Sequence, residues 1–297
     1  MSQSSFGNKF KVTTWGESHG KALGAVIDGC PAGLPLCEED IQKFLDRRKP
    51  GQSRYTTARK EGDLVEILSG VFEGKTTGTP ISLMVRNTDQ RSRDYGNIAY
   101  SYRPGHADYT FDQKYGFRDY RGGGRSSGRE TIGRVAAGAI ASKILEELGI
   151  SICTYTRSIG PVEIASFNKE EIHQNAFYMP DAQAAVKAGE YLEECMKNQD
   201  SAGGVIECRI TGTPAGLGEP VFDKLSALLA HALMAIGAVK AVEIGDGIAV
   251  TSSNGSTDND GFTVKDGEII KTSNHAGGIM GGISDGREII LRATINP

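Results

Sequence analysis

The 297-residue chain is long enough to bury one large core or two ordinary ones. Its net charge of −4 argues against a general nucleic-acid binder. No apolar run approaches the roughly 18 residues that a membrane span needs, and the start has no apolar stretch typical of a signal peptide. Five scattered cysteines without a Cys-x-x-Cys pair support neither a disulfide framework nor a zinc site, so we expect a cytoplasmic protein without a bound metal.

The first third of the chain is predicted to hold strands and one helix. The helix begins after Cys37 with three acidic residues and ends before the Pro50-Gly51 turn, which fits the usual start and stop signals. Strands are predicted where Val, Ile and Leu cluster between turns that contain glycine or proline. These strands lie at 10–14, 25–28, 64–72 and 81–85.

Residues 86–124 show little hydrophobic periodicity and are rich in Arg, Asp, Tyr and Gly. A polar stretch of this length is either disordered or functional. Its aromatic residues favour an ordered, functional segment; they are Tyr95, Tyr100, Tyr102, Tyr109, Phe111, Tyr115, Phe117 and Tyr120.

The clearest helix is predicted over 129–148, where apolar residues repeat at helical spacing and Gly149 gives the stop. Ser127-Gly-Arg-Glu130 has the form of a capping box at its start. Two more helices are predicted over 181–198 and 222–236. The inward side chains of the last helix are expected to be Leu225, Leu228, Leu229 and Leu233.

The remaining strands are predicted at 205–210, 242–244, 248–250 and 289–295. Strands that alternate with helices indicate an α/β or an α+β protein. No internal repeat or linker interrupts the chain, so we expect one continuous domain over 1–297.

Two loops place a histidine where it could transfer protons. Gly16-Glu-Ser-His-Gly20 sets His19 among glycines, whose backbone can approach a ligand, and imidazole titrates near neutral pH. Arg103-Pro-Gly-His-Ala-Asp108 sets His106 two residues before Asp108, which could orient the ring. A tight turn around His19 and an ordinary surface position for His106 are the alternatives. The other histidines, which have no such setting, are His173, His231 and His275.

The segment Tyr120-Arg-Gly-Gly-Gly-Arg-Ser-Ser-Gly-Arg129 carries the strongest physical signal. Its glycines let the backbone approach a ligand, its arginines add charge-assisted hydrogen bonds, and it leads into a helix N-terminus that favours anions. We therefore expect anion or phosphate binding here. An RNA-binding RGG box is the alternative, but such boxes usually repeat in disordered tails. The P-loop pattern and the strand-linked G-x-G-x-x-G pattern are absent.

Two further segments are ambiguous. In Asp46-Arg-Arg-Lys-Pro-Gly-Gln-Ser-Arg54, the basic residues could simply be a solvated helix end, although the turn that carries Arg54 onward favours a substrate clamp. The cluster Gly277-Gly-Ile-Met-Gly-Gly282 is explained equally well by tight strand packing and by close approach of a cofactor.

Together, these loops resemble the chorismate synthase family, and the resemblance covers essentially the whole chain. Matching runs include Asp46-Arg-Arg, Ser53-Arg-Tyr-Thr-Thr57, Asn87-Thr-Asp89, Glu219-Pro-Val-Phe222 and Asn274-His-Ala-Gly-Gly278. The resemblance implies an α+β fold with a helix layer between two antiparallel sheets, assembled as a homotetramer. It also implies conversion of 5-enolpyruvylshikimate 3-phosphate to chorismate with reduced FMN, NADPH serving only to reduce the flavin. No nucleic acid or membrane partner is expected.

By position, the resemblance implies that His19 protonates the departing phosphate and that His106 lies beside the flavin. Substrate-binding residues would be Arg48, Arg54 and Arg129. Cofactor-binding residues would be Arg125, Ser126, Ser127, Gly237, Ala238, Gly278 and Gly281. Relatives commonly have Asn at position 237, so only a backbone contact would survive there.

Family members typically continue beyond the strand that ends near Pro297, so we expect a chain truncated at its C-terminus. Two other functions stay open. An NAD(P)H-dependent flavin reductase would oxidise NADPH in the absence of substrate. A non-catalytic anion- or flavin-binding module would bind FMN without releasing phosphate.

Overall fold

The computed structural model describes residues 4–55, 61–88 and 100–297. The chain divides into two compact units, Met1–Ile144 and Leu145–Pro297, and each is described by itself. The expectation of a single domain stays a prediction. In the described part of the chain, no helix combines the length and the apolar composition needed to cross a membrane.

The first unit contains one five-stranded antiparallel sheet, in the order β1-β2-β3-β7-β4. The strands of the whole unit are β1 (Ser5–Phe6), β2 (Lys11–Gly16), β3 (Ala22–Asp28), β4 (Val65–Ile67), β5 (Val71–Phe72), β6 (Lys75–Thr76) and β7 (Ile81–Arg86). β5 and β6 form a separate small hairpin. Its helices are α1 (Glu38–Arg48), α2 (Asp108–Tyr115) and α3 (Thr131–Glu147), the last running across the boundary between the units.

The core of the first unit follows from strand alternation and helical spacing. Inward residues of β3 and β7 are buried, and α1 and α3 bury their own apolar positions against them. α3 approaches the sheet closely because it has Gly133 at the contact. A Cβ there would lie 2.9 Å from the Gly24 carbonyl oxygen and 2.9 Å from Thr14 Cγ2. This packing holds the loop before α3 next to the loop between β2 and β3.

The second unit contains a five-stranded antiparallel sheet in the order β11-β16-β10-β8-β9. These strands are β8 (Ser151–Ile159), β9 (Val162–Glu163), β10 (Gly204–Thr211), β11 (Val239–Ile244) and β16 (Ile289–Ile295). Two hairpins pair β12 (Phe262–Lys265) with β13 (Glu268–Lys271) and β14 (Ile279–Met280) with β15 (Ile283–Ser284). The helices are α4 (Ala182–Lys197), α5 (Leu225–Met234) and α6 (Gly255–Asp258).

The α+β class with antiparallel sheets is confirmed, as are most of the long elements. The predicted helices at 129–148 and 181–198 correspond to α3 and α4, and Asp181 caps α4 by accepting from the backbone N–H groups of Gln183 and Ala184. The predicted strand at 64–72 is wrong in its middle, because Gly70 adopts a φ of +83° and separates β4 from β5.

Other predictions for the second unit were wrong. The apolar run 248–250 is not a strand but part of a 3₁₀ helix, Gly247–Ser252. Gly245, with a φ of +60°, lies just before this helix. Leu228 is exposed, whereas Leu225, Leu229 and Leu233 pack on the core as expected. β8 was not predicted, because its apolar residues neither form a run nor alternate regularly with polar ones.

Candidate functional site

His19 lies in the loop between β2 and β3, and its ring has a hydrogen-bond partner. The hydroxyl of Ser18, a residue that is 2% exposed, lies 3.2 Å from His19 Nδ1. Gly20 closes the loop by donating from its backbone to the Glu17 carbonyl over 3.1 Å. The predicted tight turn is therefore present, and it presents a half-buried imidazole held by a buried hydroxyl.

The glycine-rich loop before α3 meets this histidine at Gly122. An added Cβ at Gly122 would overlap His19 Nδ1 and would lie 2.5 Å from Cε1, and the residue has a φ of +123°. Only glycine readily combines this backbone conformation with so close an approach. The glycine predicted to let backbone approach a ligand thus lets it approach the His19 ring.

The rest of the glycine-rich loop is held by its own side chains. Ser126 donates from Oγ to the Gly123 carbonyl over 2.6 Å, and Ser127 Oγ accepts from the Arg129 backbone over 3.3 Å. The predicted capping box at Ser127 forms only in part, because the Glu130 carboxylate accepts from Thr14 Oγ1 and from Arg134 Nε instead.

Arg125 ties the same loop to strand β2. Its guanidinium donates to the Gly16 carbonyl over 3.0 Å, to the Thr14 carbonyl over 3.1 Å and to Thr14 Oγ1 over 2.6 Å. The side chain predicted to contact a flavin therefore has a structural task, and its cofactor contact stays a prediction.

His106 is paired with Asp108 as the spacing suggested. His106 Nδ1 lies 3.0 Å from Asp108 Oδ1, and the carboxylate is 4% exposed. Arg103 binds the same carboxylate through Nε and Nη2, each over 2.8 Å, which holds the pKa of Asp108 well below its usual range. Arg103 Nη2 also donates to the Gly122 carbonyl over 3.2 Å, so the His106 turn joins the loop that contacts His19.

Two of the three predicted substrate arginines lie together. Arg48 Nη1 donates to Asp63 Oδ2 over 2.6 Å, and Arg129 Nη2 lies 3.1 Å from Asp63 Oδ1. Arg54 stacks on the neighbouring Tyr55, with its guanidinium carbon 4.9 Å from the ring centre. Sequence reasoning missed Asp63, because it is 15 residues from Arg48 and lies in no motif.

Asn87 connects the histidine loop to the arginines. Its amide donates to the carbonyls of Glu17 and Gly20, over 3.0 and 2.7 Å, and its Oδ1 accepts from Arg129 Nε over 3.1 Å. The first unit thus joins the two histidine loops, three arginines and their carboxylate partners in one network of hydrogen bonds and ion pairs. Part of the predicted functional segment, including Tyr95, lies outside the described residues.

The remaining predicted cofactor residues lie in the second unit. Gly278 is a packing glycine, since a Cβ there would lie 2.6 Å from the Glu288 carbonyl oxygen. Gly281, with a φ of +61°, and Gly237 have open space at the Cβ position, and Ala238 adopts a φ of +70°. Tight packing therefore explains Gly278, whereas close approach of a cofactor at Gly281 stays a prediction.

The second unit also holds polar contacts that the sequence did not suggest. His275 Nδ1 lies 2.7 Å from Asp246 Oδ2, which raises the pKa of His275. The Glu207 side chain is fully buried in the sheet and accepts from Tyr155 and from Arg157, Arg209 and Arg292. Tyr155, Arg157 and Arg292 come from the strands on either side of β10, so only the strand register brings them to Glu207.

Comparisons with known proteins agree on one family. The family model described as chorismate synthase matches residues 10–297. The chorismate synthases of Agathobacter rectalis and Lachnoclostridium phytofermentans are 66% and 65% identical, over all of this chain and 82% of each relative. A solved structure, titled as the crystal structure of chorismate synthase, aligns with a TM-score of 0.83 at 34% identity. The alignment covers 98% of this chain and 85% of the chain in that structure.

Proposed function

Since the chain belongs to the chorismate synthase family, we propose that it eliminates phosphate from 5-enolpyruvylshikimate 3-phosphate to give chorismate, with reduced FMN as cofactor. In this lyase reaction of the shikimate pathway, the C3–O bond breaks with its electron pair leaving on phosphate. A proton leaves C6 and a new double bond forms, so atoms balance without net oxidation.

The observation that carries the proposal is the network of the first unit. His19, Gly122, Arg103, Asp108 and His106 are linked by contacts and hydrogen bonds, and Asn87 links the His19 loop to Arg129. A substrate with two carboxylates and a phosphate needs fixed cations, and a departing phosphate needs a proton donor. The network offers both kinds of group within one compact unit.

In this proposal, His19 delivers a proton to the departing phosphate while Ser18 Oγ, next to Nδ1, fixes the orientation of its ring. Arg48 and Arg129 bind an anionic group of the substrate by charge-assisted hydrogen bonds. Arg103 keeps Asp108 ionised, and Asp108 in turn orients His106. His106 donates toward the cofactor from a ring that is 29% exposed.

Open space beside two of the predicted cofactor glycines supports the flavin part of the proposal. Gly237 and Gly281 leave space at their Cβ positions, so their backbone can be approached closely, and Ser126 is exposed at the glycine-rich loop. When bound, reduced FMN would supply an electron-rich ring to a reaction that has no net redox change. The residues proposed to hold it are Arg125, Ser126, Ser127, Gly237, Ala238, Gly278 and Gly281.

The finer expectations carried by the family resemblance belong to the same proposal. They are a homotetramer, a location in the cytoplasm, and NADPH acting only through reduction of the flavin.

The proposal is tested by replacing His19 and His106 with alanine. Each change should lower anaerobic turnover by about 10²–10⁴-fold, the usual contribution of a general acid or base. His173→Ala is the control, because it removes an exposed imidazole that contacts Tyr178 in the second unit. Turnover near the wild-type rate in His19→Ala would remove His19 from the mechanism.

A further inference from the structure

Asp63 lies between the two arginines that the proposed function assigns to the substrate. Its side chain is completely buried, and its two carboxylate oxygens face different partners, Arg48 on one side and Arg129 on the other. Gln42 in α1 fixes the local backbone, with Nε2 donating to the Asp63 carbonyl over 3.3 Å and Oε1 accepting from Val65. The backbone itself has a φ of +45°, a strained value for a residue with a side chain.

A buried carboxylate on a strained backbone lowers the stability of the folded protein in a way that a surface ion pair does not. Burying an ion is unfavourable unless its partners are well placed, and the left-handed backbone adds strain. Asp63 therefore persists because the surrounding structure holds it. This arrangement fixes two guanidinium groups from different elements. Arg48 is the last residue of α1, and Arg129 lies in the 3₁₀ turn directly before α3.

The orientation of Arg129 points to an acceptor beyond Asp63. Arg129 is 5% exposed, and its Nη1 and Nη2 are buried without a well-aligned hydrogen bond to any described residue, although both lie within ion-pair distance of carboxylates. Buried donors of this kind are costly unless an acceptor satisfies them. A phosphate or carboxylate oxygen of the substrate would provide that acceptor.

Net charge does not explain the cluster as an anion site. Arg48 and Arg129 contribute two positive charges, and the buried carboxylates of Asp63 and Glu61 contribute two negative ones. If charge alone attracted the substrate, both carboxylates would weaken binding. The geometry requires a different role for Asp63, which contacts both arginines.

We propose that Asp63 is a positioning residue that sets the spacing and orientation of Arg48 and Arg129 for one anionic group of the substrate. The inference rests on the proposed function. Asp63 does not contact substrate in this scheme and acts only through the two guanidinium groups.

The test compares Asp63→Asn with Glu61→Gln, because the two changes remove the same charge from the same cluster. Asparagine tolerates a left-handed backbone, so the chain conformation at position 63 is preserved. Glu61 approaches Arg129 only to 3.9 Å and is hydrogen-bonded to Thr88 over 2.8 and 3.1 Å, so its loss leaves the Asp63 bridge intact.

Positioning and charge predict opposite signs. With positioning, Asp63→Asn raises KM about 10- to 100-fold while kcat changes less than about threefold, because Arg48 and Arg129 lose the one carboxylate that contacts both of them and fixes their spacing. Glu61→Gln should then keep KM at or below the wild-type value. If Asp63 only neutralises charge, both variants should lower KM, and that result overturns the proposal.

A second measurement separates this inference from the proposed function. Calorimetry with 5-enolpyruvylshikimate 3-phosphate in the absence of flavin measures the dissociation constant of the substrate without any turnover. Weaker binding by Asp63→Asn than by the wild type supports positioning even if the wild type releases no phosphate, a result that would contradict only the proposed function. Wild-type binding by the variant overturns the positioning role.

If the asparagine variant does not fold, Asp63→Glu takes its place in both measurements. It keeps the charge and lengthens the side chain by one methylene, so positioning predicts a raised KM and a raised dissociation constant. Equal values in Asp63→Glu and wild type would overturn the proposal. Thermal unfolding of each variant shows that the fold is retained during these measurements.

Discussion

Replacing Gly122 with alanine places a methyl group where the ring of His19 lies. The new Cβ would overlap Nδ1 and would lie 2.5 Å from Cε1, whereas ordinary contacts of a Cβ begin near 3.4 Å. The imidazole must therefore move by about 1 Å, or the loop must move instead. Ser18 Oγ, 3.2 Å from the same Cβ position, limits the space available for either movement.

The size of the effect follows from that displacement. A misplacement of about 1 Å at a reacting group can cost about 10²-fold in rate. The φ of +123° adds about 1–3 kcal/mol of backbone strain in a residue with a Cβ, which lowers stability separately. We therefore expect Gly122→Ala to lower kcat about 100-fold, with a modest decrease in the melting temperature.

The assay is anaerobic turnover with chemically reduced FMN, alongside thermal unfolding. Gly124→Ala is the matched control, since Gly124 lies in the same loop with a φ of +52° and has no heavy atom within 4 Å of its Cβ position. It imposes backbone strain without touching His19, so kcat should stay within about threefold of the wild type. Equal losses of kcat in both variants, or none in Gly122→Ala, would refute the reasoning.

The other predictions concern the second unit. Asp181→Asn should destabilise the protein by about 1–2 kcal/mol in urea unfolding at pH 7, because one carboxylate oxygen caps α4 and the other accepts from Ala165 and Ser166, whereas the asparagine amide has a single oxygen for both sets of donors. The Ala184 backbone N–H and the other donors lower the folded-state pKa of Asp181 to about 2, below its unfolded value near 3.9. The stabilisation is therefore complete above about pH 5 and is lost as the pH falls from 4 toward 2. An equal pH dependence in wild type and variant would contradict this role. Glu207→Gln should cost about 2–3 kcal/mol, since it leaves partly exposed arginines without their shared carboxylate, and an unchanged urea midpoint would argue against it.

The sequence predicted elements whose signals are local. α3 and α4 carry helical periodicity together with stop or cap residues, and their ends lie within two residues of the prediction. β8 failed because its stabilising partners are the strands beside it, and its polar residues face the buried Glu207. The run at 248–250 failed because three apolar residues cannot distinguish a strand from a short helix.

In the candidate site, too, the sequence predicted the residues that stand in short motifs but not those whose partners are distant in the chain. His19 and His106 stand in short motifs, and the Asp108 partner was predictable from a spacing of two residues. Asp63 and Asn87 could not be assigned, because their partners lie 15 to 70 residues away and meet only after the sheet forms. Gly122 was recognised as a close-approach glycine, but the sequence could not say that the approaching group is His19.

The most direct test of the account is anaerobic turnover of 5-enolpyruvylshikimate 3-phosphate by the full chain with reduced FMN, measuring chorismate and phosphate together. The account predicts that both products appear in a one-to-one ratio and that neither appears when FMN is left oxidised. Phosphate release without chorismate, or no release of either product with reduced FMN, would contradict the proposed elimination.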